Sequence, residues 1–421
     1  MNFDENTLYN IKTSLPGMRR PLFDLAIWKN GLAFKKINFS EEGVPVIKIA
    51  ELNNGISSNT SFTKGDYGEE VRLHRGDLLF SWSGNPQTSI DVYKYQLYDG
   101  WLNQHIFKVT ANETMVSKDF LFYLLKYLKP HFTQIATNKQ TTGLGHVTIA
   151  DLKRMSIVVP EKKVQEGIVA IVKTIDDKIE VNNDINKNLE EQIQVLCRSW
   201  LIDYAPFGYK RPDTWSVVPL SSIADFVSGY SYKGAELIES DIAMATIKNF
   251  DRKGGFKLDG YKEIQPSAKL KPEQHAELFD TLVAHTDLTQ NAEVIGNAEP
   301  VLSLSGYRDI VFSMDVVKVL PKDGISKFLL AALLQSGRFK AHALGYVNGT
   351  TVLHLSKKAL PEFELPLPSN LDELAPLANA AEAMYRQIAN NIDESTKLAK
   401  LRDSLLPQLM SGELDVSDLD L

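Results

Sequence analysis

The hydrophobic residues of this chain change period twice, and both times in the same way. Up to residue 160 they come in short alternating runs such as "VPVIKIAELNNG" (44–55) and "NQHIFKVT" (103–110). Gly, Asn or Pro cuts each run off, which predicts short β strands joined by turns. Within this region "SKDFLFYLLKYL" (117–128) places Phe120, Leu121, Leu124, Leu125 and Leu128 on one helical face. After Pro160 the spacing lengthens. Val164, Ile168, Ile171, Ile175, Ile179, Ile185, Leu189, Ile193, Leu196 and Trp200 recur mostly three or four residues apart. That is a long amphipathic helix with a coiled-coil-like seam. At about 1.5 Å per residue, positions 161–200 extend roughly 60 Å. "YAPFGYKRPDTW" (204–215), whose Pro and Gly cannot sit inside a helix, leads back to strand-like spacing. After Pro368 a second helical run follows, through Leu371, Leu374, Leu377, Ala381, Met384, Ile388, Ile392, Leu398, Leu401, Leu405 and Leu409.

The second half repeats the first. "TTGLGHVTIADLKRMSIVVP" (141–160) matches "GTTVLHLSKKALPEFELPLP" (349–368), and from His146 and His354 onward the two align without a gap. "VPVIKIAELNNG" is echoed by "IAMATIKNFDRKGG" (242–255), and "RGDLLFSWSGN" (75–85) by "LFDTLVAHTDLTQNAEVIGN" (278–297). "NQHIFKVT" answers to "FSMDVVKVL" (312–320). The helical "SKDFLFYLLKYL" answers to "SKFLLAALLQSG" (326–337), with Phe328, Leu329, Ala332 and Leu333 on its face. The expected fold is α+β: two globular modules in tandem, each followed by a long helix, the two helices packing as an antiparallel coiled coil. The expected boundaries are 1–160 and 204–368 for the modules, 161–203 for the central helix, and 369–421 for the second helix and an acidic tail. Asn182-Asn183 and Asn390-Asn391 stand at matching places in the two helices. Polar residues in an apolar seam cost stability but set register and orientation. The plainer possibility is that each helix merely docks on its own module, although such length exceeds what a module of that size needs.

Composition narrows the setting. Of 421 residues 43% are hydrophobic and 24% charged, the balance of a soluble globular protein. No apolar run approaches the roughly 20 residues that span a bilayer, and the first residues lack the apolar core of a signal peptide. The single cysteine, Cys197, excludes an intrachain disulfide framework and reads as a small buried hydrophobe. A reducing, cytoplasmic location fits. The net charge of −7 argues at first against nucleic acid, but residues 351–421 carry 12 Asp/Glu against 6 Lys/Arg, whereas residues 1–150 carry 14 against 16. The excess acid thus lies mainly in the last stretch. A near-neutral module can still present one basic face, with recognition resting on shape and side-chain readout more than on bulk attraction.

Catalytic signatures are missing. There is no phosphate loop, no dinucleotide-binding glycine pattern, no zinc-protease helix and no nucleophile elbow. No His, Asp and Glu cluster has metal-ligand spacing, so neither catalytic nor metal residues are expected. "SGNPQTS" (83–89) faintly resembles the catalytic Asn-Pro-Pro-aromatic loop of adenine methyltransferases, yet Gln87 stands at the second proline and no aromatic follows. His146 and His354 share a repeat position but have no sequence-adjacent partners, and are expected to be structural.

The side chains that look chemical are polar and lie in loops. In the first module the candidates for DNA contact are Lys48, Ser81, Ser83, Asn85, Gln87, Asn103, Gln104, Lys139 and Gln140. In the second they are Lys248, Asn249, Arg252, Lys253, Thr286, Thr289, Gln290 and Asn291. Asn, Gln, Arg and Lys can pair with base edges, and Ser, Thr and Lys serve phosphates. The halves differ most in these loops while their framework repeats, as expected of one scaffold carrying two different reading surfaces.

Taken together, "RGDLLFSWSG", the 141–160 motif running into "VQEGIVAIVKTIDDKIEVNN", and the closing "LAKLRDSLLPQLMSGEL" give the chain, over nearly its whole length, a strong resemblance to specificity subunits of type I restriction–modification systems. The resemblance implies a non-catalytic chain whose two target recognition domains each read one half of a split double-stranded DNA sequence. The paired helices would act as the ruler between the half-sites. Two modification subunits, which bind S-adenosylmethionine and methylate adenine, would dock on this scaffold, and restriction subunits that translocate and cut would join the assembly. No cofactor is expected in this chain itself. The alternative from the residues alone is a duplicated coiled-coil adaptor that binds proteins without reading DNA.

Overall fold

The computed structural model describes residues 5–140, 143–289 and 291–416. It divides into two compact units: residues 1–177 with 399–421, and residues 178–398. Among the described residues no helix is long and apolar enough to cross a membrane.

In the first unit the alternating runs form an antiparallel sheet in the order Ala26–Asn30, Ile106–Ala111, Leu78–Ser81, Asp91–Lys94. A smaller sheet pairs Val44–Ile47 in parallel with Gly100–Leu102 and flanks them with Phe62–Thr63 and Arg72–Leu73. The helical segment forms as Lys118–Tyr127. Its N-cap, Ser117, accepts a hydrogen bond from the Phe120 amide, which satisfies one of the donors a helix start leaves open. Phe120, Leu121, Leu124 and Leu125 are buried against the sheet. The chain then returns. Gly145–His146 pairs with Ser83–Gly84, and Ser156–Pro160 pairs with the first strand, Gly17–Pro21.

The second unit repeats this plan in its main sheet and in its parallel strand pair, with three strands in place of four in the smaller sheet. Its main sheet runs Ala224–Ser228, Val316–Pro321, Thr281–Ala284, Ala298–Pro300. Ile242–Ala245 lies parallel to Asp309–Phe312, and Leu353–Leu355 pairs with Thr286–Asp287. Trp215–Pro219 pairs with Glu364–Pro368. Ser326 caps the helix Lys327–Leu334 as Ser117 caps its counterpart. The interior chemistry repeats too. Lys108 pairs with Asp77 at 2.9 Å and Lys318 with Asp280 at 3.3 Å, on equivalent strands.

The change of period after Pro160 becomes one helix, Lys162–Leu201, and that after Pro368 a second, Ala375–Ser411. Leu371–Leu374 forms a separate 3-10 turn ahead of it. The helices run antiparallel. In the first unit Val164, Ile168 and Val172 share a core with Leu406, Leu409 and Met410. In the second, Ile193, Cys197 and Leu201 share a core with Leu377, Ala381, Tyr385 and Ile388. Both cores include the sheets and helices of their own unit, so pairing and docking on the modules occur together. Gln165 anchors the first helix. Its buried amide donates to the Met115 and Pro160 carbonyls and accepts from the Ser117 amide.

The seam's polar residues divide. Asn182 is buried, and its amide donates to Glu394 Oε2 (2.8 Å) and Ser395 Oγ (3.2 Å). Asn391 is buried and donates to Asn186 Oδ1 at 2.8 Å. Asn183 and Asn390 are exposed, and Asn186 takes a place in the seam that the repeat did not point to. Of the apolar positions read into the seam, Ile185 and Leu401 are also largely exposed.

Candidate nucleic-acid interface

In the first unit Asn85 accepts from the Gln87 and Thr88 amides, folding 85–88 into a turn that leaves Asn85 and Gln87 exposed. Lys48 sits at the N-cap of helix Ile49–Asn54. Its amide donates to Glu51 and its ammonium to Ser61 Oγ at 3.1 Å. Gln104 is half-buried and donates to His105 Nε2 at 3.1 Å. Gln140 is exposed. Lys139 is bonded to both carboxylate oxygens of Asp151, at 2.5 and 2.7 Å. Burial works to raise the pKa of Asp151, but Lys139 and the Thr148 hydroxyl outweigh it and hold the carboxyl below its usual range. Ser81, Ser83 and Asn103 are buried. Ser83 shares a hydrogen bond of 2.9 Å with His146 Nδ1, and Ser81 Oγ has no partner.

In the second unit two loops are tied into one platform. Asp287 accepts from the Thr289 amide and hydroxyl and from the Val294 and Ile295 amides. Lys340 donates to the carbonyls of Glu293 and Ile295 and to Asn297 Oδ1 at 3.0, 2.7 and 2.7 Å. Those contacts hold the ammonium in the loop, where partial burial lowers its pKa. Asn297 in turn donates to the Asp251 carbonyl at 2.9 Å, and Arg252 pairs with Glu293 at 3.3 Å. Lys248, Arg252, Lys253 and Asn291 are exposed and Thr289 half-buried on this platform. Thr286 is buried, and Gln290 lies outside the described residues. Asn249 is fully buried. It accepts from the Thr246 amide and donates to the Lys257 carbonyl, so as placed it shapes the turn and presents no atom to solvent.

The loop reading passed over the aromatic and histidine side chains among these groups. Trp82 stacks on Phe107 and lies between His105 and His146, with ring centroids 5.8 and 5.9 Å away. Its indole N–H donates to Asn30 at 3.0 Å. Burial, and then the neighbouring His146, lower the pKa of His105. Lys340 was illegible, because it lies on a helix 45 residues from Ile295 in the loop it holds, and Asp287 was passed over although Thr286 and Thr289 beside it were named. Cys197 is buried and its thiol is pushed up to about 12 by burial, leaving it unreactive. Among the described residues no three His, Cys, Asp or Glu side chains converge as metal ligands.

A family model, the type I restriction modification DNA specificity domain, matches residues 18–191. The type I restriction enzyme MjaVIII specificity subunit of Methanocaldococcus jannaschii is 24% identical over 389 residues, covering 89% of this chain and 87% of its own. The HindI specificity subunit of Haemophilus influenzae is 23% identical over 419 residues, covering 81% and 87%. The matched domain spans most of the first module, and the second module repeats the strand order of its main sheet. Residues 18–191 carry the type I restriction–modification DNA specificity domain, and over most of its length the chain is similar to type I specificity subunits. A solved S subunit from M. genitalium aligns over 95% of the chain and 97% of its own, at 16% identity and a TM-score of 0.49. A specificity subunit is not itself catalytic.

Proposed function

We propose that this chain, as a specificity subunit, reads a bipartite duplex target, one half-site per module, and that its paired helices set the gap and carry two modification subunits. One observation carries the reading: the module and its helix occur twice, with the same strand order and different loops. Two readers in one chain need no palindromic target, and a rigid spacer keeps their half-sites in phase with the groove. The exposed Gln87, Lys248, Arg252, Lys253 and Asn291, with the half-buried Gln104, would meet bases and phosphates, and their exposure supports that reading. The alternation of apolar seam and buried asparagine supports the helix pair as a spacer of defined register. S-adenosylmethionine would be bound by the modification subunits, which supply the methyl group to adenine, and restriction subunits would join the same assembly in the cytoplasm.

Long-read methylation mapping in a host that expresses the chain with its modification subunits tests this. The expected result is methylated adenine in two short specific blocks separated by a gap of fixed length. A single contiguous motif, or methylation without sequence preference, overturns it.

A further inference from the structure

Resting on that reading, the two units can be superposed in thought through their backbone hydrogen bonds. The Trp82 amide donates to the His105 carbonyl, and the Val147 amide to the Trp82 carbonyl. In the second unit the His285 amide donates to the Asp315 carbonyl, and the Leu355 amide to the His285 carbonyl. His146 stands opposite Ser83, and His354 opposite Thr286. One residue before His105 and Asp315, the amides of Gln104 and Met314 donate to the carbonyls of Leu32 and Tyr230, at 3.0 Å in both units. Gly31 and Gly229, just before those two, press against equivalent carbonyls: an added Cβ would lie 2.2 Å from Asn103 O or Ser313 O. The backbone is therefore the same construction twice.

The side chains on it are not. Where the interior keeps its glycine and its Lys–Asp pair, this rim carries the half-buried Trp82 and Gln104 with the exposed His105 in one unit, and the half-buried His285 and Asp315 with the exposed Met314 in the other. A shared histidine, His146 or His354, completes each cluster. His105 and His354 are exposed, and Met314 is 56% exposed although apolar. Exposed lysines flank both rims, Lys35 and Lys36 just after Leu32, and Lys358 just after His354. A constant frame with exchanged chemistry at its rim is the arrangement that two readers of different half-sites require. We propose that these rim positions are the principal specificity determinants, meeting base edges in the two half-sites. Their chemistry differs as base edges differ. An amide such as Gln104 pairs with adenine, a carboxylate such as Asp315 accepts from the cytosine amino group, and an apolar tip such as Met314 packs on the thymine methyl.

The test uses the intact complex of the chain with its modification subunits. Long-read methylation mapping defines the wild-type target, then is repeated for Asp315→Asn and for the exchange Met314→Gln with Asp315→His. The expected result is a second half-site relaxed or altered at one or two positions, with the first half-site and the gap unchanged. An unchanged target at normal methylation overturns the inference alone, since the wild-type map has already tested the bipartite reading. Uniform loss of methylation at every site by both variants also overturns it, because it places these residues in folding or general binding. Gln104→Ala supplies the reciprocal arm: it is expected to relax the first half-site only.

Discussion

Glu299 shows how much one side chain can be asked to do. It is buried between the Gly255 amide and the Gln335 amide, 2.7 and 2.6 Å away, and Gln335 accepts from Tyr385 on the second long helix. Burial raises its pKa to about 7, against the two hydrogen bonds that lower it. The folded state thus holds this proton where the unfolded chain has released it. Stability from this group is complete below the unfolded value of about 4.5 and is lost as pH rises to about 7. The thermal midpoint of the second unit's transition should fall between pH 5 and pH 8, and Glu299→Gln should flatten that fall. An equal slope in the variant would mean that another group titrates. At Gly31 the constraint is steric. An alanine Cβ would meet the Asn103 and Leu102 carbonyl oxygens at 2.2 and 2.4 Å, both backbone atoms that cannot swing aside. Gly31→Ala should cost about 1–3 kcal/mol in denaturant titration, in the range of other overpacked sites, and Gly229→Ala about as much.

Elements come from period, but their pairing comes from chemistry at a few points. The seam of the long helices is apolar at both ends and polar between, at Asn182, Asn186 and Asn391. Asn391→Ala removes the donor that satisfies Asn186 Oδ1 and leaves a buried oxygen unpaired. The expected loss is about 1–3 kcal/mol. Replacing Asn186 and Asn391 together by leucine removes both polar groups and should recover most of that stability, because matched apolar residues carry no desolvation penalty. Equilibrium denaturation of the single and double variants decides this, and a double variant less stable than the single would sink it. The sequence pointed at matched asparagine pairs. Adjacent residues of a helix point about 100° apart, so one member of each pair faces solvent, and Asn186, one turn beyond Asn182, enters the seam as well.

For the whole molecule, the spacer makes the most direct prediction. Four residues inserted beside Asn182, matched by four beside Asn391, add about one helical turn, or roughly 6 Å. Methylation mapping should then show both half-sites unchanged and the gap lengthened by about two base pairs, since duplex steps are roughly 3.4 Å. An unchanged gap would remove the helices from that role. The N-terminal segment is part of the same frame at its other end. The Ser14 amide donates to the Ser411 carbonyl at 2.8 Å, and the Thr13 hydroxyl to Met410. Substitutions that disturb that junction act on the first unit's core, where Leu409 and Met410 are buried.

Local spacing alone determined much here: the doubled module, the short helices within 117–128 and 326–337, and the two long helices were legible in the order of apolar residues and in the repeat. Period-2 and period-3.6 patterns are set by residues a few positions apart, so a linear reading detects them. Tertiary structure alone decided which polar side chains remain available. Asn249 and Ser81 look like contacts in a string of letters, yet the turn and the sheet enclose them. Trp82, His105 and His146, 23 and 41 residues apart in turn, become neighbours only when three separate strand ends converge. Burial and convergence depend on residues distant in sequence, and no local pattern records them.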